Sequence, residues 1–262
     1  MGSDFLGISA LAGLLGLDAT AVFQGMLSRP LVAGALFGLL LGDWQVGVLA
    51  GGLLEMLSEA VIPVGAFVPP DFQVATAFTV AGSVALLKCP ALAAEGVPVE
   101  GVVALMTILS IPLAVAGGAL ETQVRRLDVV VTHWVDRRVA AGSPGAVSLV
   151  PAATLPGFFL KTALLSWASL ELAVPLLSGA LGLLPAWTWT SLSLVYGLML
   201  MLGLAILADL FWEKRAWVFL AAGFGVARLM SDVLHLPGAW IFAALAAMGL
   251  CVPWWLERRG RS

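Results

Sequence analysis

The chain has 262 residues, of which 61% are hydrophobic and only 11% are charged. Soluble domains are roughly 45–50% apolar and about 25% charged, so this composition excludes a soluble globular domain and predicts an all-α, polytopic transmembrane protein. The net charge of −3 is small and gives no indication of a nucleic-acid partner. We therefore expect a lipid bilayer, and no nucleic acid, as the surroundings of the chain.

Eight apolar stretches approach the roughly 20 residues that a helix needs to cross the hydrocarbon core of a bilayer. We therefore expect a multi-pass protein of the cell inner membrane, in which these stretches are the candidate membrane segments. They cover residues 30–42, 44–68, 72–87, 101–120, 147–170, 191–208, 216–231 and 238–256.

The first of these segments are interrupted at Gly42 and Asp43, and again by the run PVGAFVPPDFQ at 63–73. Proline removes a backbone hydrogen-bond donor, so three prolines within this short run cannot continue a helix. Non-helical backbone at membrane depth persists only where it is buried in protein or lines a watery cavity. Such breaks point to a transporter's binding site, and we predict broken or re-entrant helices in the N-terminal half.

The longest polar stretch, 121–146, carries four arginines and ends in a run of Gly, Pro and Ser that should break a helix. We predict a polar loop there, dividing a single membrane domain (1–262) into an N-terminal block, 1–120, and a C-terminal block, 147–262. Because Lys and Arg concentrate in cytoplasmic loops, we place this loop and the basic C-terminus in the cytoplasm. The Pro/Gly-broken stretch LAVPLLSGALGLLPAWTWT is predicted to be an outer-face or re-entrant segment.

Ionisable groups inside a membrane are costly and are candidates for function. Glu55 lies in an apolar segment, and Glu59 lies on the same helix face one turn later. The alternative for Glu55 is a structural role, paired with an arginine or with the backbone. The alternative for Glu59 is a position near the membrane surface. Asp71 and Gln73 mix acceptors and donors, as sugar hydroxyls require, although Asp71 also suits the N-cap of the next helix. With Gln24, these residues are the predicted substrate-binding set.

Arg29 stands just before Pro30, at a predicted helix start. Its charge suits either the lipid headgroups or a nearby carboxylate. We expect a structural role for it, anchored to headgroups or paired with Asp43 or Asp18.

The sequence carries no recognisable catalytic constellation. It contains no P-loop, no dinucleotide-binding glycine motif, no nucleophile elbow and no zinc-protease motif. Cys89 and Cys251 lack the spacing of metal ligands. We therefore predict no catalytic residue, no metal site, no cofactor and a chain that is not catalytic by itself.

Three consecutive motifs in the N-terminal half resemble one family. They are RPLVAGALFGLLLGD at 29–43, GVLAGGLLEML at 47–57 and VGAFVPPD at 64–71. In order and spacing they are similar to the IIC component of the mannose/fructose/sorbose-type phosphotransferase system, the sorbose-specific IIC family. The total length and the apolar remainder of the chain also fit this family.

The resemblance implies a membrane sugar permease subunit of a phosphoenolpyruvate-dependent sugar phosphotransferase system. In this family the IIC chain binds and moves a hexose beside a IID membrane subunit. Cytoplasmic IIA and IIB proteins carry the phosphoryl group, and IIB passes it to the incoming sugar. We expect a homo-oligomer, and two alternatives stay open: a phosphorylation-independent carrier, and a non-transporting membrane scaffold or sensor of the same fold.

Overall fold

The computed structural model describes residues 2–210, except 21, 23, 62–64, 66, 95 and 183. The predicted segments 216–231 and 238–256 lie outside the described residues. In the described part the regular structure is helical, with a 3-10 turn at Pro144–Leu149. The α-helices are α1 (Gly2–Thr20), α2 (Pro30–Leu40), α3 (Trp44–Ser58), α4 (Phe72–Leu87), α5 (Pro90–Ala94), α6 (Val99–Ala140), α7 (Val150–Leu181) and α8 (Ala186–Leu210).

Three described stretches are long and apolar enough to cross a membrane. They are α6, α7 together with the preceding 3-10 turn, and α8 up to Asp209. The helices α2 and α4 are apolar but shorter. Large apolar side chains on α8, such as Leu194 and Leu198, are exposed, as is normal for a surface that faces lipid. The predicted all-α membrane architecture is therefore confirmed.

The break predicted at Gly42 and Asp43 is a tight turn between α2 and α3. Gly42 has a φ of +75°, which glycine adopts without steric cost. Asp43 then caps α3 by accepting a hydrogen bond from the backbone N–H of Val46 at 3.2 Å. Glycines let the two helices touch through their backbones: a Cβ on Gly34 would lie 2.7 Å from the carbonyl oxygen of Gly47.

The helix α4 lies at the centre of the packing. Every residue from Gln73 to Leu86 is buried, and α4 packs against α1, α2, α3, α6 and α7. The polar residues at its N-terminus are therefore surrounded by protein rather than lipid, which is the condition for non-helical backbone at membrane depth.

Two segments differ from the sequence-based prediction. Residues 121–140, predicted as part of a polar loop, continue α6, and the chain turns only at Gly142, which has a φ of +84°. The stretch predicted to be an outer-face or re-entrant segment is also mostly helical, because α7 runs through Pro175 to Leu181 and α8 starts at Ala186. A polar composition indicates that a segment lies outside the lipid, but it does not indicate whether that segment is a helix or a loop.

Candidate functional site

The chain before α4 is non-helical at 67–71 and lies directly on α6. A Cβ on Gly117 would lie 2.5 Å from the Cβ of Asp71, and one on Gly118 would lie 2.8 Å from the carbonyl oxygen of Pro69. The backbone N–H of Asp71 donates to the carbonyl oxygen of Ala114 at 2.8 Å. Two glycines of α6 therefore allow the segment 67–71 to pack without a side chain in between.

Asp71 caps α4 and joins it to α7. Its Oδ1 accepts from the backbone N–H groups of Gln73 and Val74, both at 3.1 Å, which confirms the predicted N-cap. Its Oδ2 accepts from Lys161 Nζ at 2.6 Å and from Thr162 Oγ1 at 3.2 Å. A carboxylate offers about four acceptor positions, so these four bonds use its capacity.

Lys161 links two carboxylates from different elements. Its Nζ also lies 2.9 Å from Glu121 Oε2, and Glu121 Oε1 in turn pairs with Arg125 at 3.2 Å. The side chains of Lys161 and Asp71 are only 8% and 9% exposed. Unpaired charges buried to this extent would be costly. The two cations, on Lys161 and Arg125, balance the formal charge of the two carboxylates, on Asp71 and Glu121.

Gln73 is a buried amide without hydrogen-bond partners in the described part of the chain. The residue is 4% exposed, and neither Oε1 nor Nε2 has a partner there. Leaving such a group unsatisfied costs about 1–3 kcal/mol. Because an amide carries both donors and an acceptor, it is suited to bind a hydroxyl group of a ligand.

A cavity of about 560 Å³ opens beside Gln73 and the segment 67–71. Pockets for small molecules are roughly 300–1,000 Å³, so this one can hold a monosaccharide. Among the described residues, no group of three or more His, Cys, Asp and Glu side chains could hold a metal ion. The polar side chains on the cavity wall include Arg29, Asp71, Gln73, Glu121, Lys161 and Thr162.

Glu55 and Glu59 form a second cluster with Arg29. Glu55 Oε1 lies 2.7 Å from Arg29 Nε, and Glu55 Oε2 accepts from the backbone N–H of Leu31 at 3.1 Å. Glu59 Oε1 pairs with Nη2 of the same arginine. The cavity lining includes Arg29 and neither glutamate. Arg29 thus pairs with Glu55 and Glu59, and not with the two aspartates expected from the sequence.

The loop between α1 and α2 is organised by Asp18 rather than by Gln24. Asp18 accepts from the backbone N–H groups of Gly25 at 2.7 Å and of Ser28 at 3.1 Å. Gln24 is exposed, has a φ of +52° and is not part of the cavity lining. The structure therefore brings Asp71 and Gln73 together at the cavity and leaves Gln24 outside it.

Comparison with known proteins identifies the family. Residues 4–252 match the family described as the sorbose-specific IIC component of the phosphotransferase system (PTS). The chain belongs to this family. It is 25% identical over 245 residues to the fructose permease IIC component of Bacillus subtilis (strain 168), an alignment that covers 94% of this chain and 82% of the relative. It is 26% identical over 204 residues to the mannose-specific EIIC component of Escherichia coli (strain K12), with coverages of 75% and 69%.

Solved structures share the fold of this IIC chain. One, described as a membrane protein, has a TM-score of 0.63 at 23% identity and covers 98% of this chain and 94% of its own. A chain from the mannose transporter ManYZ in complex with microcin E492 has a TM-score of 0.51 at 24% identity, with coverages of 95% and 94%. The predicted family, membrane fold and class, a sugar permease subunit of a phosphotransferase system, are confirmed.

Sequence reasoning missed Lys161, Thr162, Glu121 and Arg125 as parts of the IIC cavity. Lys161 is the single charged residue of the stretch 147–170, so the rule that intramembrane charges are functional candidates would have identified it. Glu121 and Arg125 had been assigned to the polar loop. Their position on a continuous α6 is what brings them to Lys161.

Proposed function

We propose that this IIC chain binds a hexose in the cavity beside the segment 67–71 and conducts it for phosphorylation by a partner IIB protein. Relatives named for fructose, mannose and sorbose support a hexose as the cargo. The observation that carries the site assignment is Gln73, a residue of the cavity lining whose amide is buried without a partner in the described part of the chain.

The charge balance of the cavity wall suits a neutral and highly hydroxylated molecule. The two carboxylates and two cations around Lys161 pair with one another, so this group offers little net charge to attract an ion. A sugar ring instead needs closely spaced donors and acceptors, which amide, ammonium and hydroxyl groups supply here. We therefore propose a sugar, rather than an ion, as the ligand of the cavity.

The predicted substrate-binding residues then fall into three groups. We propose that Gln73 contacts the sugar and that Asp71 belongs to the same site. Glu55 and Glu59 would act at one remove, by holding Arg29 at the cavity wall. Gln24, which is exposed on its loop, would contribute only if the loop approached the cavity during transport.

We further propose the family's usual partners and orientation for this chain. These are a IID membrane subunit, cytoplasmic IIA and IIB proteins, a homo-oligomer in the inner membrane, and a cytoplasmic C-terminus. The length of α6 supports this orientation, because its 42 residues span about 63 Å, twice the roughly 30 Å of a hydrocarbon core. Its second half is rich in arginine, which favours the cytoplasmic side: Arg125, Arg126, Arg137 and Arg138.

Uptake measurements in cells that lack their own hexose transporters test this function. The chain would be produced together with the IID, IIA and IIB proteins of its own organism, and the cells supplied with radiolabelled fructose, mannose or sorbose. We expect label to accumulate as sugar phosphate and to stop accumulating when IIB is left out. Free sugar accumulating without IIB would instead support a phosphorylation-independent carrier, and no uptake of any of these sugars would support a scaffold or sensor.

The site is tested in the same assay by replacing Gln73 with methionine. Gln73→Met keeps the length of the side chain and removes both hydrogen-bonding atoms, so we expect uptake at low sugar concentration to fall about tenfold or more. Ser83→Ala is the matched control, because Ser83 is also on α4, buried and unpartnered in the described part of the chain, but is not on the cavity lining. Equal losses in both variants would mean that α4 is merely sensitive to substitution.

A further inference from the structure

Asp71 has no free acceptor position for a sugar hydroxyl in this structure. Two backbone N–H groups bind its Oδ1, and the groups of Lys161 and Thr162 bind its Oδ2. A neutral sugar hydroxyl would have to displace one of these donors. Bonds from an ammonium group to a carboxylate are about twice as strong as bonds between neutral groups, so exchanging Lys161 for a hydroxyl group is unfavourable. Exchanging the hydroxyl of Thr162 for that of a sugar replaces one bond by a similar one and gains nothing.

Gln73 and Lys161 are the neighbours of Asp71 that keep an unused hydrogen-bond donor in the described part of the chain. Both side-chain atoms of the Gln73 amide are unpartnered in the described part of the chain. Lys161 carries three N–H donors, and its Nζ has two oxygen partners there, on Asp71 and Glu121. Both residues belong to the cavity lining, so each has a spare donor next to the cavity. The amide atoms of Gln73 are covered, so a ligand must displace that cover to reach them.

We infer that Asp71 is a positioning residue, and that Gln73 and Lys161 are the side chains that contact the sugar. One oxygen of Asp71 fixes the backbone of Gln73 at the start of α4, and the other fixes the ammonium group of Lys161 on α7. Asp71 therefore sets the separation of two donors that belong to different helices. This assignment rests on the proposed sugar site and divides the roles within it.

Four variants separate these roles through the KM of sugar uptake, measured with whichever of fructose, mannose and sorbose the wild type accumulates. Gln73→Met should raise KM about tenfold or more, because it removes a contact to the sugar. Asp71→Asn should raise KM only about threefold, because asparagine is as good an N-cap as aspartate and Lys161 keeps Glu121. Asp71→Ala, which has neither oxygen, should raise KM at least about tenfold.

The double variant Asp71→Asn/Lys161→Met isolates the contact made by Lys161. Replacing Lys161 alone would leave the carboxylate of Asp71 buried without its cation, whereas the double variant removes both charges and leaves Glu121 paired with Arg125. We expect its KM to be raised about tenfold or more over the wild type. Immunoblots of membranes would confirm equal amounts of each protein.

Two outcomes would overturn the inference while leaving the sugar site intact. If Asp71→Asn raised KM as much as Gln73→Met, Asp71 would be a direct ligand. If the double variant had the KM of Asp71→Asn alone, Lys161 would not contact the sugar. An unchanged KM in Gln73→Met would overturn the proposed site itself, and the inference with it.

Discussion

At the scale of single residues, the carboxylates of this protein hold backbone and helices in place. Asp18, Asp43 and Asp71 accept backbone N–H groups at a turn or a helix start. Glu55 and Glu121 pair with cations from other parts of the chain or from their own helix. The cost of a charge in an apolar surrounding explains why each of the five is bonded to a cation or to backbone N–H groups. Among the unpartnered buried groups of the described residues, Gln73 is the one on the cavity lining.

The cluster around Arg29 predicts unequal roles for its two glutamates. Glu55 binds both Arg29 and the backbone N–H of Leu31, whereas the side chain of Glu59, among the described residues, contacts Arg29 alone. Glu55→Ala leaves a donor at the start of α2 without its acceptor, which should lower the free energy of unfolding by about 1–3 kcal/mol. We expect a smaller loss for Glu59→Ala.

The midpoint of thermal aggregation in detergent, read by size-exclusion chromatography of each heated variant, measures this difference. The two variants are matched, since each shortens a glutamate on the same face of the chain near α3. A midpoint lowered more by Glu59→Ala than by Glu55→Ala would contradict the roles assigned to them.

The sequence singled out two residues of the candidate site, for a physical reason. Asp71 and Gln73 were recognisable because polar groups next to a proline break in an apolar region suggest a binding site. Lys161 lies 90 residues from Asp71 and 40 from Glu121, and a single sequence has no signal for pairs so far apart. The saturation of the Asp71 oxygens is likewise visible only when the donors from α4 and α7 are in place.

At the scale of elements, glycines fix the distance between α2 and α3. A Cβ on Gly34 would lie 2.7 Å from the carbonyl oxygen of Gly47 and 2.8 Å from the Cα of Gly51. These neighbours are backbone atoms, so they cannot move aside as a flexible side chain would. Close backbone contact of this kind is a common way for membrane helices to associate, and it keeps Arg29, at the start of α2, close to Glu55 on α3.

Adding one methyl group to this contact should therefore destabilise the protein. Gly34→Ala should cost about 1–3 kcal/mol, the usual penalty for overpacking, and lower the thermal midpoint in detergent. Gly52→Ala is the matched control on α3, because its Cβ would find only the Cδ1 of Leu31, at 3.8 Å. Alanine is also the better helix former, so this control should be neutral or slightly stabilising, and equal losses in both variants would refute the close contact.

The helices were predictable where an apolar run ends at a strong turn signal. The predicted segments 30–42 and 72–87 closely match α2 and α4, because Pro30, Gly42 and Asp71 mark their ends. The helix α1 was not among the predicted spans, and its partner α7 explains its stability, since Gly13 packs closely on Phe159. Such packing between distant segments leaves no periodic signal in one sequence.

At the scale of the whole molecule, Gln73 and the paired groups of Asp71, Lys161 and Glu121 lie between the described helices. The cavity lies at the N-terminus of α4, whose residues from Gln73 to Leu86 are all buried. The non-helical segment can persist there because it packs on α6 and its last residue, Asp71, bonds to α6 and α7. Composition predicted a membrane protein, whereas the class of transporter depended on the family motifs at 29–71 and on the family match itself.

The most direct test is a cryo-electron microscopy structure of the complex with its IID subunit, determined in a saturating concentration of a sugar that it transports. We expect density for one sugar in the cavity beside the segment 67–71, within hydrogen-bond distance of the Gln73 amide, at roughly 2.7–3.2 Å. A structure of the Gln73→Met complex under the same conditions should lack this density. Sugar bound elsewhere in the wild type, with this cavity empty, would contradict the assignment.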